Sequence, residues 1–301
     1  MSIKSITIEP IIIPHITGRL VVVADLHLDH HLRSNKDPFF DHALDQVDWS
    51  GVDALIVAGD LSNNPTQTWP SVFRYLRRYI PSERTYVFPG NHDFYHHSLD
   101  REDELHKMAE AAGATYVQKR ELRHGSTRIL CCTLWTDFAL GGDTKKAMNE
   151  AWALMMDYRV IASQWQVNLS TMSPLPRPRA VTPTEILALH HDHRKWLDAM
   201  LSEPPTSGIE KTVVVTHHGP HPATAGSQDT LTAAFHSDLS EMIARHQPDY
   251  WFFGHSHRRL AAIVGNTDIR NISIGYPDEE RFPMDHLLQD LCILDNPVER
   301  R

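Results

Sequence analysis

Leu20-Val21-Val22-Val23-Ala24-Asp25-Leu26-His27 is the stretch whose reading decides the fold. A short, continuous apolar run stopped by an acid has the signature of a strand buried on both faces. In open α/β sheets, ligands gather beyond the carboxyl ends of such strands. On extended backbone, positions i and i+2 point the same way. Asp25 and His27 can then offer a carboxylate oxygen and an imidazole nitrogen to one cation. A single Asp-x-His is commonly a turn acid beside a surface histidine, so the reading depends on the other strand ends.

Those ends repeat the pattern. Asp53-Ala54-Leu55-Ile56-Val57-Ala58 runs into Gly59-Asp60, and Thr85-Tyr86-Val87-Phe88 runs into Pro89-Gly90-Asn91-His92-Asp93. Later, 211–216 runs into His217-His218, and 249–253 into Gly254-His255-Ser256-His257. Helical patterns fall between the early strands: 39–47 after Asp37-Pro38, 69–80 with Val72, Phe73, Leu76 and Tyr79 on one face, and 98–112. This β-α-β-α-β rhythm implies a parallel sheet with right-handed crossovers, and 128–133 reads as a further short strand. The rhythm breaks over 137–181. Gly141-Gly142, a helical run at 145–161 and Ser173-Pro174-Leu175-Pro176-Arg177-Pro178 form a helical, cap-like insertion without strand character. Thr182-Pro183-Thr184-Glu185 is a capping box that opens a helix through 201. A helix follows at 238–246, and 260–264, 269–274 and 291–294 read as consecutive strands, more antiparallel in flavour. The whole of 1–301 is expected to be one domain with the insertion inside it.

Composition sets outer bounds. Hydrophobic residues make up 41% of the chain, enough for a sizeable core. A net charge of −9 disfavours sequence-independent binding to nucleic acid, which needs a basic footprint. Three cysteines without paired spacing offer no disulfide framework and suit a reducing cytoplasm. No apolar run reaches the length of a membrane span. Ile11-Ile12-Ile13, interrupted by Pro14 and His15, makes a poor signal peptide.

The chemistry of the five tips is definite. Oxygen from Asp and Asn mixed with imidazole nitrogen suits borderline divalent metals such as Mn, Fe, Zn or Co. The absence of thiolate argues against a structural zinc finger. The donors are too many for one ion. They suit two ions sharing a carboxylate, about 3.5–4 Å apart, which clamp the attacking and leaving oxygens of a phosphoryl displacement. Gly59, Gly90 and Gly254 stand where the chain must turn and approach an ion closely.

In this order the motifs resemble the calcineurin-like metallophosphoesterase family, whose pattern is Asp-x-His, Gly-Asp, Gly-Asn-His-Asp/Glu, a strand-end His and Gly-His-x-His. The match runs from Asp25 to His257. The resemblance implies an α/β fold with mixed sheets, a four-layer αββα sandwich, and a dinuclear centre. One ion would take Asp25, His27, Asp60 and His257, and the other Asp60, Asn91, His217 and His255, with Asp60 the bridge. His92 would act on the leaving oxygen as general acid or hydrogen-bond donor, with Asp93 orienting it, and a metal-bridging hydroxide would be the nucleophile. Of the adjacent pair, His217 is the expected ligand because it follows the strand directly, which leaves His218 to substrate or packing.

One departure stands out. Family members that are protein Ser/Thr phosphatases carry Gly-Asp-x-x-Asp-Arg-Gly, whereas this chain has Gly59-Asp60-Leu61-Ser62-Asn63-Asn64-Pro65. The phosphate-binding arginine is missing at position 64, and Asn63 replaces the acid that pairs with the histidine, so protein phosphatase activity is not expected. A basic group must come from elsewhere. Arg159, with Tyr158 beside it on the insertion's predicted helix, is the candidate substrate contact, and Asn63 and His218 complete that set. His30-His31 and Tyr95-His96-His97 lie on loops at the same edge. Gly275-Tyr276-Pro277 reads as a turn bordering the site, with no role assigned. The expected activity is hydrolysis of a small phosphomonoester or phosphodiester. A nuclease of the same family would need a basic groove, and a non-catalytic scaffold would have lost ligands. An unrelated histidine-rich metal-storage protein would leave the strand-end placement unexplained.

Overall fold

The computed structural model of the chain describes residues 9–163, 178–204, 207–279 and 288–298. Chain order begins β1 (Ile11–Ile12), β2 (Arg19–Val23), α1 (Leu28–Arg33), α2 (Pro38–Asp41), β3 (Ala54–Ala58), α3 (Pro65–Leu76) and β4 (Thr85–Phe88). It continues with α4 (Glu102–Ala111), β5 (Thr115–Tyr116), β6 (Arg120–His124), β7 (Thr127–Cys132), α5 (Thr144–Leu154), α6 (Asp157–Val160), β8 (Ala162–Ser163) and β9 (Arg179–Ala180). The remainder is α7 (Pro183–Ser202), β10 (Lys211–Thr216), α8 (Thr232–Phe235), α9 (Ser240–His246), β11 (Tyr250–Phe253), β12 (Ala261–Val264), β13 (Thr267–Asn271), α10 (Leu288–Cys292) and β14 (Ile293–Asp295).

Two sheets carry the molecule. Five strands pair in the order β14-β2-β3-β4-β5 and seven in the order β1-β6-β7-β10-β11-β13-β12. The run β2 to β5 is parallel, as is β7-β10-β11-β13. Antiparallel pairs add β14 to β2, β6 to β7 and β12 to β13.

Side-chain alternation along the second sheet reveals the layers. Ile129, Cys131, Val213, Val215 and Phe252 join the large core shared with β2, β3 and β4. Their neighbours Leu130, Cys132, Val214, Trp251 and Phe253 pack instead with Leu197 of α7 and with Met242 and Ile243 of α9. Successive residues thus bury in opposite directions, as a period of two requires, and both faces are covered. That is why Val213-Val214-Val215 reads as unbroken apolar sequence. On the far side of the first sheet, Val72, Phe73 and Leu76 of α3 and Leu105 and Ala109 of α4 are buried. The result is helices, sheet, sheet, helices: the four-layer αββα sandwich. Fully burying a Val, Leu or Phe side chain stabilises by about 1.5–3 kcal/mol, so this double coverage supplies the fold's main stability.

Several elements differ from the sequence reading. The helix expected at 39–47 stops at Asp41, and a separate 3-10 turn follows at Leu44–Gln46, because Ala43 takes a left-handed φ of 57° that no helix can continue through. The run at 145–161 is two helices, broken where Met155 adopts extended angles. The insertion also contains the small pair β8–β9. Its stretch 173–177 lies outside the described residues. Strand 128–133 belongs to the second sheet rather than the first, and 291–294 divides between α10 and the edge strand β14. Among the described residues, no helix is long and apolar enough to cross a membrane.

Candidate metal centre

The five tips come out on one edge, three from the first sheet after β2, β3 and β4 and two from the second after β10 and β11. Backbone bonds stitch the edge together. Ala24 N–H donates to Ile272 O at 3.0 Å, Ile274 N–H to Ala24 O at 2.8 Å, and Gly254 N–H to His217 O at 2.9 Å. The tips are not extended, as the i, i+2 argument assumed. Asp25 (φ 55°), His27 (40°), Asp60 (56°), His255 (66°) and His257 (52°) all occupy the left-handed region. That region costs an L-residue about 1–2 kcal/mol, and such strain gathers where a site needs an unusual direction from its side chains. Gly59 also turns at positive φ, 86°, and a Cβ there would meet His217 Nδ1 at 2.5 Å. Gly90 needs room rather than a special angle: a Cβ would press on the Asp60 carboxylate and lie 2.6 Å from the His217 ring.

Three overlapping groups of side chains each hold their donor atoms within 4.8 Å of one another: Asp25, His27 and His257; His27, Asp60 and His92; and Asp60, His217 and His255. Asp60 belongs to two of them. His27 Nε2 lies 3.0 Å from His257 Nε2 and 3.7 Å from Asp60 Oδ2. His217 Nε2 is 3.1 Å from Asn91 Oδ1 and 3.4 Å from Asp60 Oδ1. The far nitrogen of His217 bonds the Ala58 carbonyl at 2.9 Å, so Nδ1 carries a proton and Nε2 is the nitrogen turned toward the other donors. His218 is not in these donor groups but is buried directly beside them, its ring 4.1 Å from that of His255.

These residues suit divalent ions by their chemistry. His255 Nε2 is buried without a hydrogen-bond partner, a cost that a bound ion would remove. Burial alone would lower His217, but the charge and hydrogen bond of Asp60 reverse this and raise it to about 9. Burial opposes protonation of His257 too, yet Asp25 and Glu279 raise it to about 10. The same negative potential would attract a metal cation. His27 and His255, held by burial well below the ordinary histidine range, stay neutral as ligands must be.

Around the donors, His92 Nδ1 hydrogen-bonds Asn63 Oδ1 at 2.7 Å, and Asn63 Nδ2 reaches His30 Nε2 at 3.0 Å. Asn63 thus occupies the partner position beside His92 that the sequence reading gave to Asp93. Asp93 points elsewhere. Its Oδ2 accepts from the backbone N–H groups of Asp60 (2.8 Å), Gly90 (2.9 Å) and Leu61 (3.3 Å). Its Oδ1 accepts from Ser62 N–H and Trp69 Nε1–H, both at 3.3 Å. One buried carboxylate therefore ties the Gly59-Asp60 loop to the Gly90-Asn91 loop. Arg159 does not line the cavity among the described residues. Its guanidinium donates to Met155 O (3.0 Å) and Ala153 O (2.5 Å). Tyr158 is buried and likewise absent from the lining.

The cavity over the donors holds about 350 Å³ and is lined by Met155, Met156, Asp157, Tyr95, Phe235 and Tyr276 beside the donors. Three residues to which the sequence reading gave no role stand here. Tyr276 stacks on His27 at 4.2 Å and places its hydroxyl 3.3 Å from His92 Nε2. Glu279 Oε2 accepts from His257 Nδ1 at 2.8 Å. Asp157 accepts from Asn91 Nδ2 at 3.0 Å and from Tyr95 O–H at 2.5 Å. The one available signal was proximity in sequence, Asp157 beside Tyr158-Arg159 and Glu279 just past the Gly275 turn, and neither belongs to a motif.

A buried cluster of Asp, Asn and His at the strand ends of an αββα sandwich defines a metal-dependent hydrolase of phosphate esters. The family model for calcineurin-like phosphoesterases matches residues 18–259, and the chain belongs to that family. The family typically binds a dinuclear metal centre. A curated relative from Helicobacter pylori, an uncharacterized metallophosphoesterase, is 26% identical over 78 residues, which is 26% of this chain and 20% of that protein. The chain therefore aligns with about a fifth of that relative's length. Among solved structures, a phosphopantetheinyl hydrolase from Mycobacterium tuberculosis matches with a TM-score of 0.62 at 18% identity, covering 88% of this chain and 92% of that one. A protein of Thermus thermophilus, TT1561, matches with a TM-score of 0.46 at 12% identity, over 86% and 90% of the two chains. At 18% identity the first of these likenesses is one of fold.

Proposed function

We propose that the chain hydrolyses a small phosphomonoester or phosphodiester, with Asp25, His27, Asp60 and His257 holding one divalent ion and Asp60, Asn91, His217 and His255 a second. The observation that carries this reading is that the donor groups run into one another: His27 belongs both to the group with Asp25 and His257 and to one with Asp60, and Asp60 belongs in turn to the group with His217 and His255, the atoms of each group lying within 4.8 Å. The mixed oxygen and nitrogen donors suit Mn, Fe, Zn or Co. Such ions, when bound, supply Lewis acidity toward phosphoryl oxygen and lower the pKa of water.

The chain's own residues do the rest. With its Nδ1 proton directed at Asn63, His92 turns Nε2 to the cavity, where it can hold or pass a proton at the departing oxygen. The Tyr276 hydroxyl, alongside it, can donate to a phosphoryl oxygen, a duty left open by the missing arginine at position 64. Met155, Met156 and Phe235 form an apolar wall that suits a compact substrate better than a polynucleotide track. Met155, Met156 and Asp157 are the part of the 137–181 insertion that joins this wall, within a single domain. The three free, buried cysteines accord with a reducing compartment such as the cytoplasm.

The test is turnover of 4-nitrophenyl phosphate and bis(4-nitrophenyl) phosphate by chelated protein, before and after adding back Mn, Zn, Co or Fe. Activity is expected only after reconstitution, and the ratio of the two rates assigns monoester or diester preference. Outer-shell substitutions alone cost about 10–100-fold, so Asp60→Asn is expected to lose more than that. Undiminished turnover in Asp60→Asn, or after complete chelation, would remove the reading.

A further inference from the structure

We infer that Asp157, contributed by the insertion, is a positioning residue for the second metal site: it fixes which end of the Asn91 amide faces the ions. This rests on the reading of Asn91 as a ligand. An asparagine amide has one end that can ligate, Oδ1, and one that cannot, the Nδ2 amine. Rotation by half a turn exchanges them at little cost unless a neighbour objects. Here the neighbour is a carboxylate with acceptors only. Asn91 Nδ2 donates to both of its oxygens, at 3.0 and 3.2 Å. A flipped amide would set Oδ1 against two acceptor oxygens, and that arrangement has no proton to share. With Nδ2 committed, Oδ1 is turned to His217 Nε2, 3.1 Å away.

Asp157 is itself held firmly. It is 3% exposed, and Tyr95 O–H donates to its Oδ1 at 2.5 Å. The ring of Tyr95 stacks on His92 with centroids 4.0 Å apart, so the same carboxylate also braces the aromatic platform behind His92. The backbone around Asp157 is sewn to the loop that follows Asn91. His96 N–H donates to Val160 O and Ala162 N–H to His97 O, each at 2.9 Å. Ser98 and Ala162 form a β-bridge. The break between α5 and α6 at Met155 is what turns Asp157 inward, so the interrupted helix is a requirement of the site. The described stretch around Asp157 is thus a fixed wall whose buried acid sets a ligand belonging to the first sheet.

The test is Mn²⁺ titration of the full-length, chelated protein by calorimetry, with circular dichroism confirming the fold of each variant. Wild type should bind two ions. Asp157→Ala should weaken the second by about 10–100-fold, the usual cost of losing an outer-shell partner, while the first is unchanged. Asp157→Asn can still accept from Nδ2 and should stay within about threefold of wild type by the same measure. Tyr95→Phe removes the other hydrogen bond to Asp157 and should keep both ions. Adding Asp157→Ala to Asn91→Ala should cost nothing further, because both act through one amide. Full two-ion binding by a folded Asp157→Ala overturns the inference. So does equal loss in Asp157→Asn or Tyr95→Phe, which would mark the residue as mere packing. A wild type that binds fewer than two ions, or an Asn91→Ala that keeps both, overturns the ligand assignment beneath it instead.

Discussion

Asp93→Asn is the most demanding substitution that the site suggests. The native carboxylate is fully buried and receives five donors, three on Oδ2 and two on Oδ1. Asparagine can keep its carbonyl oxygen where Oδ2 was, which satisfies Asp60, Leu61 and Gly90. Its amine then sits where Oδ1 was, facing Ser62 N–H and Trp69 Nε1–H, donor against donor. Each buried donor left without an acceptor costs about 1–3 kcal/mol, so the variant should be destabilised by about 2–6 kcal/mol. Urea unfolding followed by circular dichroism at pH 8 in the presence of chelator measures this without a metal contribution. The chemistry should suffer as well, because Asp60 and Asn91 sit on the two loops that Asp93 joins, and a misplacement of about 1 Å can cost 10²-fold in rate. A second substitution checks the cause. Trp69→Phe removes one of the two stranded donors, so Asp93→Asn should cost about 1 kcal/mol less in that background than alone. A stability change under about 0.5 kcal/mol, the ordinary range of a surface substitution, together with unaltered turnover, would refute the account of Asp93 as the tie between the loops.

Two further outcomes are expected. His193 is buried, and burial first, with a smaller push from Lys119, lowers it to about 3; its unprotonated Nδ1 accepts from Leu134 N–H at 3.1 Å. The unfolded chain protonates this histidine near 6.5 and the folded chain does not, so its contribution is full above that pH and is lost as pH falls toward 3. The loss at pH 5 is about 2 kcal/mol. His193→Gln, which keeps an acceptor, should flatten the dependence of chelated-protein stability between pH 7 and 5. An unchanged slope in that variant would clear His193 of the effect. Tyr276→Phe keeps the stacking on His27 and removes only the hydroxyl. Losing one donor aimed at developing charge costs about 10²-fold in kcat at the lower end of such effects, with KM near wild type, so an unaltered kcat would reduce Tyr276 to a packing residue.

The five motifs and the two-layered burial of the strands were legible because each is local. An apolar run, a stop and a polar tip can be read within ten residues, and Val213-Val214-Val215 announces a strand covered on both faces. What stayed hidden depends on segments meeting across the fold. Asp93 follows His92 in sequence, but its partners include Leu61, Ser62 and Trp69, some thirty residues earlier. Arg159 drew attention as a charge near the missing arginine, yet the helix ends at Leu154 and restarts at Asp157. The acid two places earlier lines the cavity, while the arginine is held on the carbonyls of Ala153 and Met155 at the end of the preceding helix. The left-handed angles at Asp25, Asp60 and His255 were equally invisible, since such angles are usual for glycine and the sequence has none there.

Asp25, Asp60 and Asn91 hang from one sheet, whereas His217, His255 and His257 hang from the other. The gap between these two donor sets is therefore governed by the thickness of the apolar filling between the sheets, about 10 Å in general. Val23, Val215 and Phe252 lie in that filling and carry no donor atom themselves. A bulkier or smaller side chain at one of them would act as a shim, widening or narrowing the jaws.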